Sequence, residues 1–365
     1  MSSQRRARRH NAPLALIFGG LIVALAVSPM GCYLSRGAWE EGKILARRRP
    51  ITELVADPRV DPVVRHKLQV VLAARAYARD SLRLRTKESF TTYSRLDKDT
   101  LVLVLSAAYR DKLEPYTWWF PIVGRVPYKG YFDFEAARRA ARNLYEDGYD
   151  VSLRPSDAFS TLGWFNDPLL STSLKRDSID LANTVIHELT HNTFYAPGSA
   201  AFNESFASFV GARGAAAFFR SRAQSAAAAR ADAEWDDEKI LGDFWSSLAR
   251  TLDSAYAAHP DSREARIRAR DTVYSRARTM LVRDIAPRLR TVNPSYAERV
   301  PLDNASLLAR RVYAKNLDLF DGVYVGEGRN LKRAIGRIIG LAKASPTDPY
   351  DGLKKWLAAF PIPTG

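Results

Sequence analysis

Apolar residues recur at two different spacings in the first half of the chain. A helical repeat runs from Asp61 to about Leu84, with apolar side chains three and four residues apart. Residues 100–106 are a short run of β-branched and leucine side chains, which is typical of a buried strand, and residues 149–153 have the pattern of another strand. Between them, residues 133–145 return to a helical pattern. We therefore predict a small sheet with flanking helices for this half.

From Asp177 onward the apolar spacing is almost entirely helical. The predicted helical segments of this half include residues 221–233, 263–283, 302–313 and 331–341. We therefore predict an α+β fold that is mostly helical. A small sheet and one central helix come first, a helical lobe follows, and a cleft lies between them. Residues 51–365 are predicted to form this one domain.

The N-terminal segment has the pattern of an export signal. Four arginines lie within residues 1–10 and precede an apolar run from Leu14 to Val27. Cys32 follows Gly31 just after this run, as in a bacterial lipoprotein signal. The alternative is an uncleaved signal anchor with a buried cysteine. Both interpretations place the signal in residues 1–32, a tether in residues 33–50 and the body in the cell envelope, anchored to a membrane and facing the periplasm.

Composition and charge limit the classes of molecule that the protein could bind. The 365 residues include 46% hydrophobic residues, enough for a packed core, and the single cysteine excludes an intrachain disulfide framework. The formal net charge of +15 suits nucleic acid, anionic lipid or acidic polymers equally. An exported protein does not meet nucleic acid, so we predict no nucleic-acid partner.

Two aromatic stretches rich in glycine and proline occupy residues 118–132 and 161–170. Glycine and proline at this density predict turns, and the aromatic side chains can either seal the core or line a cleft. We favour the second stretch as a cleft wall, because it is the last extended segment before the central helix.

The sharpest chemical signal is His187-Glu-Leu-Thr-His191. Two histidines four residues apart project from one face of a helix, as two ligands of a zinc ion require. Glu188 lies about 100° round the helix, where it reaches a zinc-bound water without being a ligand. Asp177 is placed to cap the helix. The alternative is an ordinary helix with two hydrogen-bonded histidines.

A catalytic zinc site needs a third protein ligand. A third histidine six residues after His191 is excluded because Pro197 occupies that position. Glu204, on the next predicted helix, shares its face with small residues that would permit close packing. We predict Glu204 as the third ligand; the alternative is a solvent-facing glutamate.

These residues predict one zinc ion and peptide hydrolysis. His187, His191 and Glu204 hold the metal, and Glu188 acts as general base on its water. The oxyanion that develops on the peptide carbonyl during hydrolysis needs a further hydrogen-bond donor. Tyr313 is our first choice for this donor and Tyr195 the second.

The chain resembles the gluzincin peptidases, and more closely a bacterial family of predicted zinc aminopeptidases anchored in the cell envelope. The resemblance rests on His187-Glu-Leu-Thr-His191, on Phe202-Asn-Glu-Ser-Phe-Ala207 and on the two aromatic stretches. It implies a zincin-like fold and an aminopeptidase that acts on peptide substrates. The chain lacks the Gly-Ala-Met-Glu-Asn type of segment that binds the substrate amine in better-known gluzincin aminopeptidases. Exopeptidase and endopeptidase activities therefore stay open.

Two other functions remain as alternatives. The first is a non-catalytic envelope lipoprotein that uses a metallopeptidase scaffold to bind a partner, and the second is a zinc amidase acting on cell-wall peptides. Glu188 favours catalysis, because a binding module has no use for a general base beside two zinc-spaced histidines.

Overall fold

The computed structural model describes residues 37, 39–40, 42–97, 100–120, 124–156, 168–311 and 316–359. The predicted signal segment with Cys32, residues 161–167 of the second aromatic stretch, and Tyr313 lie outside these described residues.

Helices make up most of the described chain and follow the predicted order. They are α1 (Ile51–Ala56), α2 (Pro62–Asp80), α3 (Phe134–Glu146), α4 (Ser178–Thr193), α5 (Ala200–Arg220), α6 (Ser225–Ala257), α7 (Arg263–Met280), α8 (Ser295–Arg299), α9 (Asn304–Arg311), α10 (Leu317–Gly326), α11 (Leu331–Ala344) and α12 (Pro349–Ala359).

Eight short strands form three small sheets. The strands are β1 (Arg49–Pro50), β2 (Thr92–Ser94), β3 (Val102–Tyr109), β4 (Trp118–Phe120), β5 (Gly124–Val126), β6 (Tyr128–Tyr131), β7 (Tyr149–Ser156) and β8 (Leu169–Leu170). The sheet orders are β1-β2-β8, β6-β3-β7 and β4-β5. In the second sheet β3 is central, and it pairs antiparallel with both neighbours. Among the described strands, β7 pairs with β3 alone, so its outer edge has no strand partner.

The structure confirms the predicted α+β, mostly helical class. Strands β3 and β7 and helix α3 occupy the predicted places. Two details of the prediction are wrong: residues 221–224 form a turn rather than helix, and the first aromatic stretch forms β4, β5 and β6. Helix α7 continues from Met280 as a π-helical turn to Ile285, so the predicted helix over residues 263–283 is confirmed.

Helix α5 is the centre of the larger hydrophobic core. Its aromatic stripe of Phe202, Phe206 and Phe209 is at most 1% exposed, and each ring lies within 6.0 Å, centroid to centroid, of the Phe320 ring on α10. Helices α2, α4, α11 and α12 pack round the same cluster. Burial of these apolar faces is the main driving force for the arrangement.

The long helix α6 connects this core to a second one. Its first part buries Trp235 in the larger core, and its second part packs from Phe244 to Tyr256 against α7, α8 and α9. The part built on α7 to α9 is the predicted helical lobe. The buried Asp150 on β7 joins the sheet to this lobe through Arg270 on α7 and the backbone N–H of Asn304 on α9.

Across the described residues, no helix combines the length and the apolar content that a membrane span needs.

Candidate metal centre

Helix α4 is oriented by its cap and by its buried face. The Asp177 carboxylate accepts hydrogen bonds from the backbone N–H groups of Ile179 and Asp180, both at 2.9 Å. Five apolar side chains on the opposite side of the helix from the histidines are buried, namely Leu181, Ala182, Val185, Ile186 and Leu189. Because the opposite face of α4 is buried in the core, the face that carries His187 and His191 stays partly accessible.

The C-terminal end of α4 is tied to the loop after α2. The hydroxyl of Thr193 accepts a hydrogen bond from the backbone N–H of Arg85 at 2.9 Å, and the Asn192 amide donates to the Ser89 hydroxyl at 2.9 Å. These contacts lie within five residues of His191, so they limit how far the helix end can move.

A buried asparagine holds the turn between α4 and α5. The Asn203 side chain accepts a hydrogen bond from the Ala196 N–H and donates one to the Ala196 carbonyl, both at 2.8 Å. Asn203 is 2% exposed and directly precedes Glu204. Gly198 completes the turn with φ = +75°, a conformation that glycine adopts without strain. The pair of hydrogen bonds therefore sets the position at which Glu204 enters the site.

Glycine permits α4 and α5 to pack closely beside the histidines. A Cβ atom added to Gly211 would lie 2.3 Å from Asn183 Oδ1 and 3.1 Å from His187 Cβ, and one added to Gly214 would lie 2.8 Å from Ile186. Both glycines are on α5 and face α4. The small-residue face of α5 thus brings the two helices together at the level of His187.

The nitrogen and oxygen donors of His187, His191 and Glu204 converge on one point. The two Nε2 atoms are 3.3 Å apart, Glu204 Oε2 is 3.4 Å from His187 Nε2, and Glu204 Oε1 is 3.7 Å from His191 Nε2. Ligands at zinc bond lengths of about 2.0–2.1 Å occupy the corners of a tetrahedron with edges of about 3.4 Å. The donor spacing would fit a zinc ion held by these three side chains.

The electrostatics of the three side chains also suit a cation. Burial alone would raise the pKa of Glu204, but hydrogen bonds and charge from His187 and His191 outweigh it and lower the pKa to about 2. Burial alone would lower the pKa of His191, but Glu204 and the charge of Glu188 outweigh it and raise that pKa. The Glu204 carboxylate is therefore ionised at neutral pH.

Glu188 is exposed and lies beside the donor cluster. Its charge acts on His191, and among the described residues no hydrogen bond or ion pair engages its carboxylate. A free, solvent-accessible carboxylate next to a metal position can exchange protons with water or with a leaving group.

The structure gives information on only one of the two tyrosines predicted to donate to the oxyanion. Tyr195 lies just after α4 and is 60% exposed, and among the described residues no hydrogen bond or ring contact joins it to His187, His191 or Glu204. Tyr313 lies outside the described residues, so its role stays a prediction.

A cleft of about 760 Å³ runs beside α4. Its walls come from β7, α4, α6 and α9, and Asn183, one turn before His187, is part of the lining. Most of the second aromatic stretch lies outside the described residues, so its place as a cleft wall stays a prediction; its described end, Leu169–Leu170, is buried and paired with β2. Strand β7 forms one wall of the cleft.

Sequence reasoning missed three features of this region: the clamp by Asn203, the cleft wall formed by β7, and a carboxylate at Glu238. The alternation of apolar residues in residues 149–153 was a signal for the strand. No local pattern indicated that α6 would place Glu238 opposite α4.

The chain matches the model of one protein family, described as "Putative aminopeptidase", over residues 32–350. No curated protein and no solved structure matches it.

Proposed function

The chain belongs to the family described as "Putative aminopeptidase", and from that premise we propose that it is a zinc-dependent aminopeptidase. The family supports a peptidase that acts on peptide substrates. The observation that carries the zinc dependence is the spacing of 3.3, 3.4 and 3.7 Å between the donors of His187, His191 and Glu204. A non-catalytic binding module has no need of this donor set beside a free Glu188.

In this proposal His187, His191 and Glu204 hold the zinc ion. Zinc at such a site polarises the scissile carbonyl and lowers the pKa of a water molecule. The low pKa of Glu204 keeps its carboxylate available as a ligand at neutral pH. Asn203 and Gly211 keep the ligands in register by fixing the turn and the distance between α4 and α5.

Glu188 carries the proton chemistry. Its exposed carboxylate accepts a proton from the attacking water and later gives it to the leaving amine. The bond that breaks is the peptide C–N bond, and the products are a carboxylic acid and an amine. The outer edge of β7 offers backbone N–H and C=O groups to an extended peptide lying in the cleft.

The cellular location is a further part of the proposal. The arginine-rich start, the apolar run and Gly31-Cys32 support export and membrane anchoring, through lipidation at Cys32 or an uncleaved signal anchor. The family match begins at residue 32, so it includes Cys32 and none of the apolar run. In this proposal the chain faces the periplasm, either as a lipoprotein that begins at Cys32 or held by an uncleaved signal anchor.

The activity is tested with purified full-length protein on three peptide substrates. One has a free amino terminus, one is its N-acetylated form and one is a cell-wall stem peptide. We expect cleavage of the first bond of the free peptide and loss of cleavage on acetylation. Equal cleavage of both would show an endopeptidase, and cleavage of the stem amide alone would show an amidase.

The ligand set is tested by metal content. Zinc is measured in the wild type, in Glu204→Ala and in Glu264→Ala, a matched change of an exposed glutamate on α7. We expect one zinc ion per chain in the wild type and in Glu264→Ala, and none retained in Glu204→Ala. Full zinc retention in Glu204→Ala contradicts the ligand assignment.

A further inference from the structure

One edge of the second sheet carries an aromatic hairpin. Strand β7 pairs with the whole of β3, from Val102 to Tyr109, so it fills one side of that strand. On the other side, β6 pairs with residues 103–106, and the backbone N–H of Tyr116 donates to the Ala107 carbonyl at 2.8 Å. The chain therefore leaves this edge after Tyr116, forms the antiparallel pair β4-β5, and returns to the neighbouring position as β6.

The hairpin brings exposed aromatic side chains to this edge. Trp119 on β4 is 60% exposed, and Tyr128, the first residue of β6, is 51% exposed. Among the strands that the structure describes, β6 pairs with β3 alone, so its outer side adjoins no further strand. A single exposed aromatic residue is ordinary, but several at one edge mark a contact surface.

The predicted tether is attached to the body by specific contacts. Residues 42–46 are helical, and the Ile44 side chain is buried. The Ser94 hydroxyl donates a hydrogen bond to the Ile44 carbonyl at 2.7 Å, and Arg47 forms an ion pair with Asp97 at 2.7 Å. The tether therefore has a defined position on the folded body.

The start of the tether lies at the far end of β6. A Cβ atom added to Gly37 would lie 3.7 Å from the ring of Phe132, the residue that follows β6. Phe132 is four residues from Tyr128, which is about 13 Å along an extended strand. The tether and the base of the hairpin therefore lie at the two ends of the same edge strand.

A second exposed tryptophan lies on the tether. Trp39 is 68% exposed, and its backbone is helical. At about 100° per helical residue, Trp39 lies about 160° round the helix from Gly37 and about 140° from the buried Ile44. Its side chain is therefore on the opposite side from the contacts that attach the tether to the body.

The length of chain before the tether limits how far this edge can lie from a membrane. In the lipoprotein form, the five residues from Cys32 to Gly37 span at most about 18 Å. With an uncleaved anchor, the ten residues from Val27 to Gly37 span at most about 36 Å. Either form keeps this end of the body close to the bilayer.

The tether also has a surplus of positive charge. Residues 42–50 contain four basic side chains and no acidic one, and their three consecutive arginines are exposed. Two of the four, Lys43 and Arg47, form ion pairs with Glu40 and Asp97. The remaining positive charge is complementary to anionic lipid headgroups.

We propose that Trp39, Trp119 and Tyr128 form a membrane-contacting edge, which lies in the interfacial region of the bilayer. Tryptophan and tyrosine favour this region, because the ring is apolar while its N–H or O–H group stays hydrated. The inference rests on the membrane anchoring in the proposed function and adds a second contact, made by the folded body. Strand β7, which lines the cleft, is at the other edge of the sheet, about 10 Å away. This placement leaves the cleft edge of the sheet free of lipid.

Quenching of tryptophan fluorescence by brominated lipid tests the contact. Full-length protein is reconstituted into vesicles of phosphatidylcholine and phosphatidylglycerol with ordinary or brominated acyl chains. The proteins are wild type, Trp39→Phe, Trp119→Phe and Trp356→Phe, the last being a matched change of a partly exposed tryptophan on α12. Since interfacial tryptophans come close to the bromine, we expect Trp39→Phe and Trp119→Phe each to lower the quenched fluorescence about twofold. Trp356→Phe should leave it unchanged.

Flotation of the same vesicles separates this inference from the proposed anchoring. Protein that floats with the vesicles but is quenched equally in wild type and Trp119→Phe overturns the membrane-contacting edge and leaves the anchor standing. Protein that does not float contradicts the anchoring, and the inference falls with it. A dimer that Trp119→Phe disrupts, without quenching of wild type, would assign the edge to a second copy of the chain and overturn the inference. Peptide cleavage and melting temperature, expected to be unchanged in the three variants, confirm that they are folded.

Discussion

Gly211 on α5 faces Asn183 on α4 so closely that an added Cβ would lie 2.3 Å from Asn183 Oδ1 and 3.0 Å from the Asn183 carbonyl oxygen. The same atom would lie 3.1 Å from His187 Cβ. The absence of a side chain at one position of α5 therefore sets the separation of the two helices that carry His187, His191 and Glu204, the proposed metal ligands.

We predict that Gly211→Ala lowers stability and zinc affinity together. The methyl group cannot be accommodated unless α4 and α5 separate by a few tenths of an ångström, a type of overpacking that costs about 1–3 kcal/mol. Gly340→Ala on α11 is the control, because an added Cβ there meets nothing within 4 Å. That control is expected to be neutral or to stabilise by up to about 1 kcal/mol. Chemical denaturation measures the change in stability, and zinc titration measures the change in zinc affinity. A zinc affinity in Gly211→Ala equal to that of the wild type would contradict the prediction.

The turn that precedes Glu204 gives a second prediction. Asn203→Leu removes both hydrogen bonds to Ala196 and leaves a buried N–H and C=O without partners, which costs about 1–3 kcal/mol for each group. We expect reduced stability and weaker zinc binding, since Glu204 follows directly. Asn192→Leu, which removes only the hydrogen bond to the Ser89 hydroxyl, is the comparison. Equal zinc affinity in the two variants would show that the Asn203 clamp does not position the ligand.

The metal-free protein should show a histidine with a raised pKa. Glu204 holds the pKa of His191 above its usual 6.5, against the effect of burial. In Glu204→Gln the hydrogen bond and the charge of Glu204 are removed and the charge of Glu188 remains, so the pKa of His191 should fall below its wild-type value. NMR titration of the imidazole measures it.

The sign of the stability change follows from this shift. The His191–Glu204 pair stabilises the metal-free protein most between about pH 4.5 and 6.5, and the contribution is lost as the pH rises through the raised pKa of His191. The contribution is also lost as the pH falls toward the lowered pKa of Glu204, about 2, because the carboxylate is then protonated. Wild type should therefore exceed Glu204→Gln in stability most between these limits, with a smaller difference at higher and at lower pH. An unshifted His191 pKa in both proteins would contradict the account.

Cys32 tests the proposed location. If the chain is a lipoprotein, Cys32→Ser prevents lipid attachment and the signal remains uncleaved, so the full-length precursor accumulates. Lipid labelling in cells, with Ser35→Ala as the control near the same segment, measures this. Labelling that persists in Cys32→Ser excludes lipidation at this cysteine; an unlabelled, uncleaved wild type indicates the signal anchor.

Local sequence patterns are sufficient to predict the helices and strands that carry the site. The capping position of Asp177, the buried phenylalanines of α5 and the small face around Gly211 all follow from helical spacing and side-chain size. These are short-range properties, and the folded chain retains them.

The rest depends on contacts between residues distant in sequence. The Asn203 clamp depends on the path of the turn, and the cleft depends on how α6 lies against α4 and β7. The glycines and prolines of residues 118–132 predict turns, yet strand pairing prevails over that local preference. No local pattern distinguishes Glu238 from the other charged residues of α6, because its place in the cleft lining depends on the elements packed opposite α6.

The central claim is that this donor set binds zinc and that Glu188 performs the proton transfer. Zinc content and hydrolysis of a peptide with a free amino terminus are measured on the same preparations of wild type and Glu188→Gln. The account predicts one zinc ion per chain in both proteins and a rate at least about a hundredfold lower in Glu188→Gln. A wild-type protein that cleaves the peptide without zinc, or a Glu188→Gln protein that cleaves it at the wild-type rate, would contradict the account.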